Sequence, residues 1–146
     1  MTIKLGFDIH GVIDTFGAFT TLIEQLLDND DVEIHVISGL ESKYLDEQIG
    51  HLVDLSRITN FFSVTDWLVE SGAKVEWIDG LPWAGEEEWN TAKAEYCRSV
   101  GIDILFDDSP IYAPYFDNID TIYCQIHNPA RKKFKTRDDK LFTNPS

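Results

Sequence analysis

The chain has 146 residues, of which 43% are hydrophobic, so it is long and apolar enough to bury the core of one domain. Its formal net charge of −14 disfavours nucleic acid and anionic membranes as partners, because both are negatively charged. No run of residues has the length and apolar character of a membrane span, and we expect no secretory signal. Cys97 and Cys124 lie far apart, as is typical of reduced thiols in a cytoplasmic protein.

Apolar runs that are typical of buried strands alternate with helical patterns along most of the chain. Strands are predicted at residues 3–7, 32–37, 102–106 and 121–126, and residues 61–64 are favoured over residues 75–78 for a fifth. This alternation predicts a parallel sheet with helices on both faces. The predicted fold is therefore a single three-layer α/β domain, Rossmann-like, without a large cap domain.

Three longer helices and one short helix are predicted between these strands. The first covers residues 16–27, with Asp14 or Thr15 as its N-cap, and the second covers residues 45–53. The third covers residues 87–100 and ends at Gly101, because glycine is a common C-terminal signal of helices. Ser109 and Pro110 are predicted to begin the short helix.

Residues 131–146 are predicted to form a basic C-terminal tail after a core domain of residues 1–130. Residues 131–140 contain six of the twelve basic residues of the chain. A solvated arm is the favoured interpretation of such a run of charges. The alternative is that the basic tail guides a phosphate-bearing ligand.

Polar residues follow three of the predicted strands at the point where each strand ends. Asp8 comes after the first strand, Ser38 and Gly39 after the second, and Asp107 and Asp108 after residues 102–106. Because the carboxyl ends of parallel strands meet at one edge of the sheet, we expect these residues to lie close together. A single aspartate after a strand is usually a turn former or a helix cap, so the agreement of three strand ends is the informative feature.

Lys93 lies on the apolar stripe of the third predicted helix. At 100° per residue, Trp89, Lys93, Cys97 and Val100 fall within an arc of about 80°. A lysine that faces the core is costly unless acidic groups pair with it, so we expect Lys93 to reach the carboxylates. The alternative is that its aliphatic stem packs in the core while its ammonium group extends to water.

The order of these motifs resembles the haloacid dehalogenase-like superfamily of phosphohydrolases. The resemblance rests on Asp8-x-His10-Gly11-Val12, then Ile37-Ser38-Gly39, then Lys93, then Phe106-Asp107-Asp108, and it spans roughly residues 3 to 126. It implies a phosphomonoesterase that uses Mg²⁺ as its cofactor.

The resemblance also assigns a role to each motif residue. It implies that Asp8 is the nucleophile that forms an aspartyl-phosphate, and that Ser38 and the Gly39 amide bind the phosphoryl oxygens. Lys93 would neutralise charge on the phosphate and on Asp8. The implied ligands of Mg²⁺ are the carboxylates of Asp8, Asp107 and Asp108 and the backbone carbonyl of His10. Chemically, a carboxylate can approach a phosphate dianion only where cations neutralise both.

His10 stands where the family usually has the aspartate that acts as general acid and base. Imidazole can transfer protons near neutral pH, although a nearby metal ion disfavours its cationic form. Three outcomes stay open: a catalytic histidine, a slow enzyme that accumulates aspartyl-phosphate, or an impaired site that only binds a phosphorylated ligand or a metal. A receiver-like signalling domain fits less well, because such domains normally end their first strand in a pair of carboxylates.

The spacing of the motifs leaves room for a small flap at residues 75–89 but not for a cap domain. In the family, capless members often act on large substrates or form oligomers that cover the site, so a homo-oligomer is one expectation. The substrate is a phosphorylated small molecule or macromolecule, and the sequence does not distinguish between them. Trp77, Trp83 and Trp89 are interpreted either as a hydrophobic cluster, which is favoured, or as a stacking surface for a ligand.

Overall fold

Five parallel strands form the main sheet in the order β3-β2-β1-β6-β7. The computed structural model describes residues 1–131 and, for the backbone only, Lys135–Thr136 and Phe142–Asn144. The strands of this sheet are β1 (Ile3–Phe7), β2 (Val32–Ser38), β3 (Asn60–Ser63), β6 (Ile104–Asp107) and β7 (Ile122–Gln125). The first strand is therefore central, with β2 on one side and β6 on the other.

In the part of the chain that the structure describes, four α-helices connect these strands. They are α1 (Gly17–Leu26), α2 (Leu45–Ile49), α3 (Val64–Glu70) and α4 (Glu86–Val100). Two short 3₁₀ helices, Ser42–Tyr44 and Ala113–Phe116, lie in connecting segments. Helix α4 ends at Gly101, whose φ of +76° places it in the left-handed conformation that glycine adopts readily. Among the described residues, no helix has both the length and the apolar character needed to cross a membrane.

The two faces of the sheet are covered by different sets of apolar side chains. Phe7 of β1 packs on one side in a cluster that includes Ile23 of α1. Leu105 of β6 packs on the other side in a cluster that includes Trp89 of α4. Because successive side chains of a strand point to opposite faces, the sheet lies between two helical layers. The predicted three-layer α/β fold is confirmed, and the described part of the chain contains no large cap domain.

A second, smaller antiparallel sheet stands beside the main one. Strands β4 (Glu76–Ile78) and β5 (Leu81–Gly85) form a hairpin, and β5 also pairs with β9 (Phe142–Asn144), which pairs with β8 (Lys135–Thr136). The hairpin falls within residues 75–89, where a small flap is predicted. The rest of the predicted basic tail beyond Arg131 lies outside the described residues.

Most predicted elements occur in the structure, with local corrections. The favoured fifth strand, near residues 61–64, is confirmed as β3, although Val64 begins α3, a helix that was not predicted. The residue at the N-cap of α1 is Phe16, and neither Asp14 nor Thr15 caps that helix. The reason is that the Asp14 carboxylate accepts a hydrogen bond from the backbone amide of Gly11 instead.

Two predicted helices have other bounds in the structure, since one ends earlier and the other begins later than predicted. The second ends at Ile49 rather than at residue 53. The short helix begins at Ala113 instead of Pro110, and Pro114 lies in its first turn. In the segment before it, the Ser109 hydroxyl accepts a hydrogen bond from the amide of Ile111, which closes a local turn.

Candidate functional site

The candidate site lies at the carboxyl ends of β1, β2 and β6. Since β1 stands between the other two strands, the chain connections run to opposite sides of β1. Ligands of open parallel sheets bind in the crevice that such a change of direction creates. The structure brings all of the predicted site residues to this edge of the sheet: Asp8, His10, Ser38, Gly39, Lys93, Asp107 and Asp108.

Three buried aspartates form the centre of the site. The carboxylates of Asp8, Asp107 and Asp108 each offer an oxygen atom within 4.8 Å of the other two. The backbone amide of Asp8 donates to the carbonyl of Phe106 at 2.9 Å, which continues the pairing of β1 with β6 and fixes Asp8 beside Asp107. Burial, together with the charge of Asp107, raises the pKa of Asp8 to about 8, although Lys93 opposes that shift. The folded site therefore favours a proton or a cation at Asp8.

The turn that follows β1 brings the backbone against Asp108. Gly11 has a φ of +84°, and a Cβ atom at this position would lie 2.0 Å from Oδ2 of Asp108. Any larger residue would therefore be strained and would also collide with the carboxylate. Gly11 is required both for the turn and for the close approach of Asp108.

Lys93 joins the first strand to the sixth through two ion pairs. Its ammonium nitrogen donates to Oδ2 of Asp107 at 2.7 Å and lies 3.2 Å from Oδ1 of Asp8. The residue is only 2% exposed, so the ammonium does not extend into water. Burial alone lowers the pKa of Lys93, but the charges of Asp107 and Asp8 outweigh that effect and raise the pKa above its usual value. Lys93 is thus a fixed positive charge at the site, as its place on the helix predicts.

Ser38 and Gly39 lie at the end of β2 and line the same cavity as Asp8. The Ser38 hydroxyl is buried and accepts a hydrogen bond from the amide of Leu40 at 3.1 Å. A Cβ atom on Gly39 would lie 2.9 Å from the indole of Trp89, so a larger side chain would require a shift of that ring. The carbonyl of Gly39 accepts a hydrogen bond from Thr65 of α3, which holds this loop in place.

His10 is held by Asp14 at the edge of the cavity. Its Nδ1 lies 2.9 Å from Oδ2 of Asp14, and its side chain is 43% exposed. Burial raises the pKa of Asp14, but hydrogen bonds from His10, Thr15 and the Gly11 amide outweigh this and lower the pKa below its usual value. Because the Asp14 carboxylate contacts Nδ1, Nε2 is the ring nitrogen of His10 that is left for contact with a ligand.

Arg131 and Asn128 complete the surroundings of Asp108, and sequence reasoning did not single out either one. Arg131 donates to Oδ1 of Asp108 at 2.7 Å, and Asn128 donates to Oδ2 at 3.1 Å. Arg131 also lines the cavity beside Asp8. Arg131 is the first residue of the basic run in the predicted tail. No local sequence pattern indicates that its side chain contacts Asp108.

The cavity above the carboxylates has a volume of about 220 Å³. Its walls include Trp89, Tyr112 and the tip of the β4–β5 hairpin. The three tryptophans considered above do not form one cluster. Trp89 and Trp83 are buried, whereas Trp77 is 49% exposed and does not line this cavity. Only Trp89 lies where it can contact a ligand.

Comparisons with models of protein families, with curated proteins and with solved structures find no match for this chain. The resemblance to haloacid dehalogenase-like phosphohydrolases therefore stays a prediction, based on the motif residues and their order.

The carboxylates meet the chemical requirements of a Mg²⁺ site. Mg²⁺ prefers oxygen ligands at about 2.1 Å, so two of its ligands lie at most about 4.2 Å apart. The three aspartate oxygens are within a small side-chain movement of that arrangement. Each carboxylate has about four lone-pair positions, so Asp107 and Asp108 can keep their hydrogen bonds and still bind an ion. When all three are ionised, Lys93 and Arg131 leave the group with one net negative charge, which favours a cation.

Proposed function

We propose that this protein is a Mg²⁺-dependent phosphomonoester hydrolase that acts through an aspartyl-phosphate on Asp8. The observation that carries the proposal is the buried group of Asp8, Asp107, Asp108 and Lys93, which opens to a cavity lined by Ser38 and His10. Such a group supplies a nucleophile, a fixed cation and a set of oxygen ligands at one point. A phosphate dianion requires all three if a carboxylate is to attack it.

In the proposed first step, a carboxylate oxygen of Asp8 attacks phosphorus and the ester P–O bond breaks. The electron pair of that bond leaves with the alcohol or phenol. Lys93 keeps Asp8 oriented through its ion pair and offsets negative charge near the phosphoryl group. A bound Mg²⁺ would favour the ionised form of Asp8 and neutralise charge on the phosphoryl oxygens. The residues that would hold it are Asp8, Asp107, Asp108 and the backbone carbonyl of His10.

His10 is the proposed general acid and base. It gives a proton to the leaving oxygen in the first step and accepts a proton from the water that hydrolyses the aspartyl-phosphate in the second. The Asp14 carboxylate, 2.9 Å from Nδ1, orients the imidazole so that Nε2 is the nitrogen available for this proton transfer. Ser38 and the amide of Gly39 are proposed to bind the phosphoryl oxygens. A cytoplasmic location remains an expectation from the sequence.

A second candidate is a binding protein of the same fold with an impaired catalytic site. The ion pair of Asp108 with Arg131 favours it, because this pair places a positive charge beside a proposed metal ligand. His10 favours it as well, because the resembled family usually has a general acid–base aspartate at this position. If the wild type is inert and His10→Asp produces turnover, this candidate replaces the first.

The proposal is tested by hydrolysis of phenyl phosphate with Mg²⁺ and with a chelator. We expect turnover only with Mg²⁺, and a loss of about 10³-fold or more in Asp8→Asn, because the amide is a poor nucleophile. Asp30→Asn is the matched control, since Asp30 is exposed and precedes β2, at the opposite end of that strand from Ser38. Equal turnover in Asp8→Asn, or turnover that does not depend on metal, would refute the proposal.

A further inference from the structure

The size of the cavity restricts the molecules that can reach Asp8. Its volume of about 220 Å³ is below the roughly 300–1,000 Å³ of sites that bury drug-sized ligands. A phosphate ester with one aromatic ring fits within this space, whereas a nucleotide would extend through the open mouth of the cavity into solvent.

The β4–β5 hairpin supplies the wall that limits this volume. Gly80, Leu81 and Pro82 at its tip line the cavity opposite the strand ends. The hairpin is anchored, because β5 leads directly into α4 and pairs with β9 on its other edge. This anchored wall makes Asp8 less accessible to a folded phosphoprotein or a nucleic acid than an uncovered sheet edge would be.

The residues that line the cavity also indicate the chemistry of the alcohol or phenol to which the phosphate is esterified. Leu40, Leu81 and Pro82 are apolar, and Trp89 and Tyr112 add aromatic surface. The hydroxyl of Tyr112 accepts a hydrogen bond from the indole of Trp89. Beyond this hydroxyl and the proposed site residues, the polar side chains of this lining belong to Glu41, Tyr44, Ser109 and Arg131. The hydroxyl groups of a sugar would therefore replace few of their contacts with water, and that loss is costly.

Glu41, an acidic residue of the cavity lining, disfavours a second anionic group on the ligand. Glu41 lines the cavity, and its side chain is mostly buried, while its partner Lys43 at 3.4 Å is largely in solvent. Burial makes the repulsion between Glu41 and a carboxylate or second phosphate stronger than it would be in water. The only cation besides Lys93 near the phosphate position is Arg131, within the described residues.

We propose that the substrate is the phosphate monoester of a compact, uncharged and mainly apolar alcohol or phenol. Its phosphate would lie at Asp8 and its body against Leu81, Pro82 and Tyr112. This inference rests on the proposed function for the chemical step, but the selection by size and polarity is a property of the cavity alone. It departs from the large substrates that accompany the lack of a cap in the resembled family.

The test measures binding of non-hydrolysable phosphonates by calorimetry in saturating Mg²⁺. We expect phenylphosphonate to bind at least tenfold more tightly than methylphosphonate, because the ring is buried against apolar walls. We expect AMP and glycerol 3-phosphate to bind no more tightly than inorganic phosphate. Equal affinity for the two phosphonates, or tighter binding of AMP than of phenylphosphonate, would overturn the inference.

Variants of the cavity wall provide a second measurement. Leu81→Ala and Tyr44→Ala remove side chains from different parts of the lining, and each is expected to reduce the preference for phenylphosphonate by about threefold or more. Trp77→Ala is the matched control, because Trp77 belongs to the same hairpin but does not line the cavity. Loss of preference in Trp77→Ala alone would contradict the assignment.

The binding data separate this inference from the proposed function. If phenylphosphonate binds more tightly than methylphosphonate but phenyl phosphate is not hydrolysed, the inferred ligand class stands and the proposed phosphatase activity is refuted. If AMP is hydrolysed faster than phenyl phosphate in an Asp8-dependent reaction, the phosphatase stands and the inference is refuted.

Discussion

At the scale of single residues, Arg131 has two opposing effects on a metal ion at Asp108. As a partner that orients a metal ligand, it is expected to improve metal affinity by about 10- to 100-fold. As a cation, it repels the ion. Its Nη1 lies 2.7 Å from Asp108, which places the guanidinium roughly 5–7 Å from an ion bound there. At an effective dielectric constant of about 20, that repulsion is about 5–7 kcal/mol, larger than the orienting effect.

We therefore predict that Arg131→Gln binds Mg²⁺ at least tenfold more tightly than the wild type. The same variant is expected to bind phenylphosphonate at least tenfold more weakly in saturating Mg²⁺, because the anion loses a nearby cation. Calorimetric titration measures both affinities. Arg98→Gln is the control, since Arg98 is an exposed arginine of α4 that pairs with Glu95 away from the site. Weaker Mg²⁺ binding in Arg131→Gln would mean that orientation outweighs charge.

Among the structural elements, the turn from β1 into α1 makes the most specific demand on the sequence. Gly11 and Gly72 both have positive φ angles, of +84° and +79°, but only a Cβ on Gly11 would contact another residue. We predict that Gly72→Ala costs about 1 kcal/mol of unfolding free energy, the usual cost of the left-handed conformation. Gly11→Ala is expected to cost more and to weaken Mg²⁺ binding at least tenfold, because the added methyl group displaces Asp108.

Urea unfolding and Mg²⁺ titration of the two alanine variants measure these effects. Gly72→Ala measures the cost of the left-handed backbone conformation alone, because its added methyl group would contact no other residue. The additional loss in Gly11→Ala is then due to the collision with Asp108. If Gly11→Ala keeps wild-type affinity for Mg²⁺, Asp108 is not one of the ligands.

The elements that the sequence predicts well are those whose signal is local. The strand of residues 3–7 and the end of α4 at Gly101 follow from apolar runs and from glycine geometry, and both occur as predicted. Asp14 shows where a local pattern fails. An aspartate before an apolar helix is typical of an N-cap, but here its carboxylate binds the Gly11 amide and His10. Its partners depend on the preceding turn, which the helical pattern does not encode.

At the scale of the whole molecule, the strand order explains why the site could be predicted at all. Asp8, Ser38 and Asp107 converge because a parallel sheet aligns its carboxyl ends, and this follows from the alternation of strands and helices. The contribution of Arg131 could not be predicted, because it depends on how the chain after β7 packs against Asp108 at the end of the neighbouring strand β6. The small cavity likewise depends on how the hairpin packs over the strand ends.

The central claim is that Asp8 becomes phosphorylated during turnover, and mass spectrometry of protein quenched in acid tests it most directly. With phenyl phosphate and Mg²⁺, we predict one added phosphoryl group on the peptide that contains Asp8, released by hydroxylamine and absent from Asp8→Asn. A His10→Gln variant is expected to accumulate more of it, because water attack on the aspartyl-phosphate loses its base. Turnover of phenyl phosphate by the wild type with no phosphoryl group on Asp8 in either protein would contradict the account.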